Sequence, residues 1–71
     1  SSLSNVAKFV LACFDKVDKE DVLEFSELVD VIGCSISDLM QALVALEMSA
    51  CIEPYSTGYR RCYCYPSHSG D

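Results

Sequence analysis

The stretch Leu23-Glu24-Phe25-Ser26-Glu27-Leu28-Val29-Asp30-Val31-Ile32-Gly33-Cys34-Ser35-Ile36-Ser37-Asp38 decides how this chain folds, because it holds one short helix, a tight turn and the start of the next helix. Leu28, Val29 and Ile32 recur at helical spacing, which predicts a helix over residues 25–32 with these three on its inner face. Gly33 stands where a helix ends in the left-handed conformation that glycine adopts at little cost. Ser35-Ile36-Ser37-Asp38 then has the pattern of a capping box. The serine hydroxyl accepts from the Asp38 amide, and the aspartate, shorter than the usual glutamate, reaches back. A third helix therefore starts near Ile36, and Ile36, Leu39, Met40, Leu43, Val44, Leu46 and Met48 give it a broad apolar face as far as Ser49. Such a face predicts the most deeply packed helix of the domain.

Toward the N-terminus, Ser4 is a good cap for a helix over residues 5–17 in which Val6, Phe9, Val10, Cys13, Phe14 and Val17 recur at intervals of three and four. The charged run Asp18-Lys19-Glu20-Asp21 is a solvated connection, and Val22-Leu23 can pair as a very short strand. Toward the C-terminus, Cys51-Ile52-Glu53 reads as a strand and residues 54–58 as a turn. Residues 59–65 read as a returning strand with Tyr59, Arg61, Tyr63 and Tyr65 on one face and Arg60, Cys62 and Cys64 on the other. Pro54 implies a strand edge or end. Residues 1–65 form one expected domain, and residues 66–71, with nothing to bury, an expected flexible tail.

Charge sets the first functional limit. Between Glu20 and Gly58 lie eight carboxylates (Glu20, Asp21, Glu24, Glu27, Asp30, Asp38, Glu47 and Glu53) and no lysine or arginine, within a net charge of −6. A helix-turn-helix that reads DNA needs cations on or beside its second helix, since phosphate neutralisation supplies nearly all of the sequence-independent affinity. This surface has the opposite sign and favours basic partners.

The remaining totals are those of a small folded domain: 51% hydrophobic and 23% charged residues in a chain of 71. At this length roughly 60% of the unfolded surface is buried, so the stability margin is thin. No apolar run approaches the length of a membrane span, and the start lacks the basic region of a secretory signal, so the expectation is an intracellular domain, cytoplasmic or nuclear, without a membrane partner. Serine-rich ends suggest a piece of a longer protein. Five cysteines are an odd number for a disulfide framework, and Cys13, Cys34 and Cys51 fall in or beside helical apolar patterns, so they read as reduced thiols. Cys62-x-Cys64 with His68, joined by Cys51, offers zinc-type ligands. However, the two strand cysteines lack the turn by which a knuckle wraps one ion, so no metal and no cofactor is expected.

From Leu23 to Tyr63 the chain resembles a winged helix-turn-helix domain. Glu27-Leu28 matches the pair opening the buried face of the second helix, and Gly33-Cys34-Ser35 matches the turn. Leu43-Val44-Ala45-Leu46-Glu47 matches the body of the recognition helix, and Ile52-Glu53 with Gly58-Tyr59-Arg60-Arg61 matches the wing. Among versions of this domain it is most similar to the C-terminal winged helix of the bacterial DNA-processing protein A family, which is involved in natural transformation. The resemblance implies an α+β fold of three helices with a two- to three-stranded antiparallel wing, in a nucleoprotein setting. Glu24 stands where serine or threonine usually caps the second helix, and Ala50 where glycine usually ends the third.

Two functional expectations follow. The preferred one is a non-catalytic interaction or recruitment module of a larger protein in nucleic-acid metabolism. Its binding surface combines the acids Glu24, Glu27 and Asp30 with the apolar anchors Phe25, Met40 and Val44, Met48 being a further one. Helix one also carries more apolar residues (Phe9, Val10, Leu11, Phe14) than one face requires, which leaves room for a homodimer interface. The alternative is direct DNA or RNA binding. In it Tyr59, Arg60, Arg61 and Tyr63 of the wing hold phosphates and stack on bases, while Ser35, Ser37 and Gln41 of the third helix assist. An enzyme is not expected, since the sole histidine is in the tail and no glycine-rich phosphate loop occurs.

Overall fold

A computed structural model describes residues 3–62. Tyr63, Cys64, Tyr65 and the expected tail, including His68, lie outside the described residues. The elements run α1 (Asn5–Asp15), β1 (Leu23–Glu24), α2 (Phe25–Ile32), α3 (Ile36–Met48), β2 (Ile52–Tyr55) and β3 (Gly58–Arg61), an α+β order. The strands form an open antiparallel sheet in the order β1-β3-β2.

Each helix begins where its first turn finds acceptors. The Ser4 hydroxyl accepts from the Ala7 amide at 3.1 Å, and the Ser35 hydroxyl accepts from the Asp38 amide at 3.1 Å. For α2, whose N-cap is Glu24, the Glu27 carboxylate accepts from the Glu24 amide at 2.8 Å. The backward-reaching carboxylate expected from Asp38 thus occurs one helix earlier. Gly33 ends α2 at φ 72°, and the chain bends by 120° into α3.

At the end of α3 the Cys51 amide donates to the Leu46 carbonyl at 2.9 Å and the Ala50 amide to the Glu47 carbonyl at 3.0 Å. This is a Schellman arrangement with alanine in the left-handed position, φ 61°. It places Cys51 and Ile52 beside Leu46 in the core.

That core joins Ala7, Val10 and Phe14 of α1 to Leu28 of α2 and Leu39, Ala42, Leu43 and Leu46 of α3, closed below by Cys51 and Ile52. Helix α1 stops at Asp15, two residues short of its expected end. Its buried face uses Ala7, while Phe9, assigned inward by spacing, is 47% exposed. The apolar excess of α1 therefore reduces mainly to Phe9, because Val10 and Phe14 are buried and Leu11 packs on the core. Helix α3 is also less enclosed than expected: Ile36, Met40, Val44 and Met48 are each more than half exposed. Only the stripe from Leu39 to Leu46 meets α1 and the core; a straight helix turns Met40 and Val44 about 100° away from it.

The hairpin also differs from the expected turn over residues 54–58. Strand β2 continues through Pro54 to Tyr55, which pairs with Gly58 across Ser56 and Thr57. The Cys62 amide donates to the Cys51 carbonyl at 3.1 Å. Counting along the ladder from there, Glu53 with Arg60 and Tyr55 with Gly58 are hydrogen-bonded pairs, and Pro54 faces Tyr59 at a non-bonded one. Proline is tolerated because β2 is an edge strand and loses no ladder bond at that position.

Gly58 is where β1 meets β3. It pairs with Glu24, and a Cβ built on it would overlap the Leu23 carbonyl oxygen and stand 2.8 Å from the Glu24 Cα. Gly58→Ala is therefore expected to lower unfolding stability by at least about 2 kcal/mol in chemical denaturation, through overpacking against backbone. Ala50→Gly is expected to raise it by about 0.5–1 kcal/mol in the same measurement, since glycine takes the left-handed conformation with less strain.

Candidate functional site: a groove between the third helix and the hairpin

Ile36, Met40, Val44 and Met48 follow at four-residue intervals, so they form a slowly winding stripe along the exposed side of α3. Met40 and Val44, in the middle of this stripe, face the hairpin. With Phe25 at the start of α2 and Pro54, Thr57 and Tyr59 of the hairpin they line one open groove of about 330 Å3. Phe25 and Tyr59 are half-buried on its floor, and both pack on the core. The volume is at the low end of the roughly 300–1,000 Å3 of small-molecule sites, so the groove suits a few side chains of a partner. The three apolar anchors singled out in the sequence, Phe25, Met40 and Val44, are brought together here.

The acidic candidates border the same elements. Glu24 closes the N-terminus of α2, and its carboxylate accepts from the hydroxyl of Thr57, a groove residue. The Phe25 amide donates to the Thr57 carbonyl at 3.4 Å. Glu24 therefore also serves as a latch between α2 and the hairpin turn. Glu27 is exposed one turn further on; Asp30 is exposed a further turn along α2.

The nucleic-acid candidates are dispersed. Ser35 spends its hydroxyl on the Asp38 amide. Ser37 and Gln41 are exposed on α3, where the Gln41 amide nitrogen donates to the Ser37 hydroxyl at 3.4 Å. Gln41 also lines a separate groove with Leu3, Val6 and Ala45, on the far side of α3 from the hairpin. Tyr59 sits in the floor described above, and Tyr63 lies outside the described residues.

The two arginines point to opposite faces of the sheet, as strand alternation requires. On the outer face the Arg60 Nε donates to the Glu53 carboxylate at 2.7 Å, and its guanidinium lies 4.0 Å from the centre of the Tyr55 ring. On the inner face, beside Ile52, the Arg61 side chain is 18% exposed. It donates to the Val17 carbonyl at 2.6 Å and lies 4.0 Å from the Asp15 carboxylate, so it ties the end of β3 to the last residue of α1 and the chain just beyond it. Its Nε is buried with no hydrogen-bond partner among the described residues. Lys19 joins the two arginines around a small hollow, but Glu20 and Glu53 share it and no α3 residue lines it. The sequence pattern placed Arg61 and Tyr59 on one face correctly, but it carried no signal that this face is the buried one.

Among the described residues no group of three His, Cys, Asp or Glu is placed to hold a metal ion. Cys64 and His68 of the zinc-type set lie outside them. No single helix among the described residues is long and apolar enough to cross a membrane. No family model matches the chain, and no curated protein or solved structure is significantly similar to it.

Unequal roles for the arginines give unequal costs. Arg61→Ala is expected to destabilise by about 1–2 kcal/mol, because the Val17 carbonyl loses a charged donor in a partly buried site. Arg60→Ala is expected to cost under about 0.5 kcal/mol, since its ion pair is solvated on both sides. Thermal and urea unfolding of the two variants against the parent chain measures both.

Proposed function

We propose that the chain is a winged helix acting as a non-catalytic recruitment module of a larger protein in nucleic-acid metabolism, and that it binds a protein partner through the groove between α3 and the hairpin. The observation that carries this reading is the convergence of Phe25, Met40 and Val44 in one groove, while Arg60 is paired with Glu53 on the outer face of the sheet and Arg61 is held against the Val17 carbonyl. The order of elements, the 120° bend at Gly33 and the hairpin after α3 support the winged-helix assignment, as does the pattern shared with the DNA-processing protein A family.

The side chains at the groove favour burial over chemistry. Apart from Ser56 at the hairpin turn they are aliphatic, thioether and aromatic, and the hydroxyl of Thr57 is committed to Glu24. A helix that presents Met40, Val44 and Met48 where a DNA reader presents cations gains by covering apolar area, about 25 cal/mol per Å2 removed from water. For direct nucleic-acid binding Arg61 would have to leave the Val17 carbonyl, and the hollow that both arginines share with Lys19 also holds Glu20 and Glu53.

Titration of labelled single- and double-stranded oligonucleotides at about 50 and 200 mM salt separates the two readings. Flat curves into the tens of micromolar are expected. Tight binding that falls steeply with salt and disappears in Arg60→Ala would overturn the protein-recruitment reading.

A further inference from the structure

Resting on that reading, we infer that the occupant of the groove is a basic amphipathic segment, with apolar side chains seated between Met40, Val44 and Phe25 and lysines or arginines meeting the acids around them. Every charged residue from Leu23 to Tyr59, the span that supplies all the groove-lining residues, is acidic: Glu24, Glu27, Asp30, Asp38, Glu47 and Glu53. Glu53 is paired with Arg60 on the other face of the sheet. The Glu27 carboxylate, 2.8 Å from the Glu24 amide, lies at the end of α2 that meets the groove residue Thr57, and Glu47 lies one helical turn beyond Val44; both residues are exposed. The apolar floor therefore has an anionic rim.

A second copy of this chain is the poorer occupant. A two-fold interface lays the same patch on itself, which would bring the acids of one rim toward those of the other and join two chains that each carry −6. A basic segment reverses each of these contacts, and a few apolar side chains fit the room available. The rim charges then act mainly on encounter rate and salt dependence, while the apolar seats hold the complex.

The test uses three helical peptides of about 14 residues with identical leucine positions and lysine, glutamate or glutamine elsewhere. Each is titrated into the 71-residue chain while the Met40 and Val44 methyl signals are followed by NMR. The lysine peptide is expected to shift both methyls and to bind at least about tenfold tighter than the glutamate peptide, with affinity falling as salt rises. Val44→Asp, at a half-exposed position, is expected to weaken the lysine peptide about tenfold although it adds negative charge, which a purely Coulombic attraction would not produce. The double variant Glu27→Gln, Glu47→Gln is expected to flatten the salt dependence while leaving the methyl shifts in place.

Equal binding by the three peptides would overturn the basic partner yet leave the groove as a protein site. Shifts at other residues, or none with any peptide, would remove the inference altogether. Sedimentation showing a dimer that Val44→Asp dissociates would make a second copy the occupant. None of these outcomes bears on the oligonucleotide titration, which alone decides against the recruitment reading.

Discussion

The pairing of Glu24 with Gly58 is the constraint on which the other features depend. Glu24 ends β1, caps α2 and accepts from Thr57 in the hairpin turn, so one residue sets the angle at which the hairpin stands against the helices. The backbones approach so closely that position 58 has no room for a side chain. Without that approach the hairpin would be a two-stranded ribbon held to the helices only through Cys51, Ile52, Tyr59 and Arg61. With it, Pro54, Thr57 and Tyr59 are held opposite Met40 and Val44, and a groove exists at all.

Charge completes what the backbone arranges. The chain has few cations, and the two on β3 are turned to internal work: Arg60 ties the hairpin strands through Glu53, and Arg61 ties the hairpin to the end of α1. The acids of α2 and α3, having no cation on their own helices, remain outside in water. The positive charge thus serves cohesion, and the negative charge defines the exterior seen by an approaching molecule.

The elements announced by a specific local device were legible in the sequence. Ser4, Ser35 and Gly33 mark helix ends through hydrogen bonds or φ values that few other residues provide, and α1 and α3 begin, and α2 ends, where those marks predicted. What was illegible depended on which of two plausible faces turns inward. Apolar residues in α3 cover more than half its circumference, so periodicity could not say that Leu39, Leu43 and Leu46 would be buried while Met40 and Val44 would not. The hairpin turn was displaced because proline suggested a strand end, whereas an edge ladder accepts it at a non-bonded pair. The candidate groove was therefore visible as a set of residue types, Phe25, Met40 and Val44, without the geometry that joins them. Arg61 was visible as a cation without the burial that engages it.

Strand β2 has a consequence for how this sheet meets its surroundings. One outer margin is interrupted by a residue without an amide hydrogen, Pro54, and the other consists of only Leu23 and Glu24. Neither margin offers a continuous row of donors and acceptors for another backbone to zip onto. Among the described residues the sheet therefore gives little purchase for strand-by-strand growth into fibres.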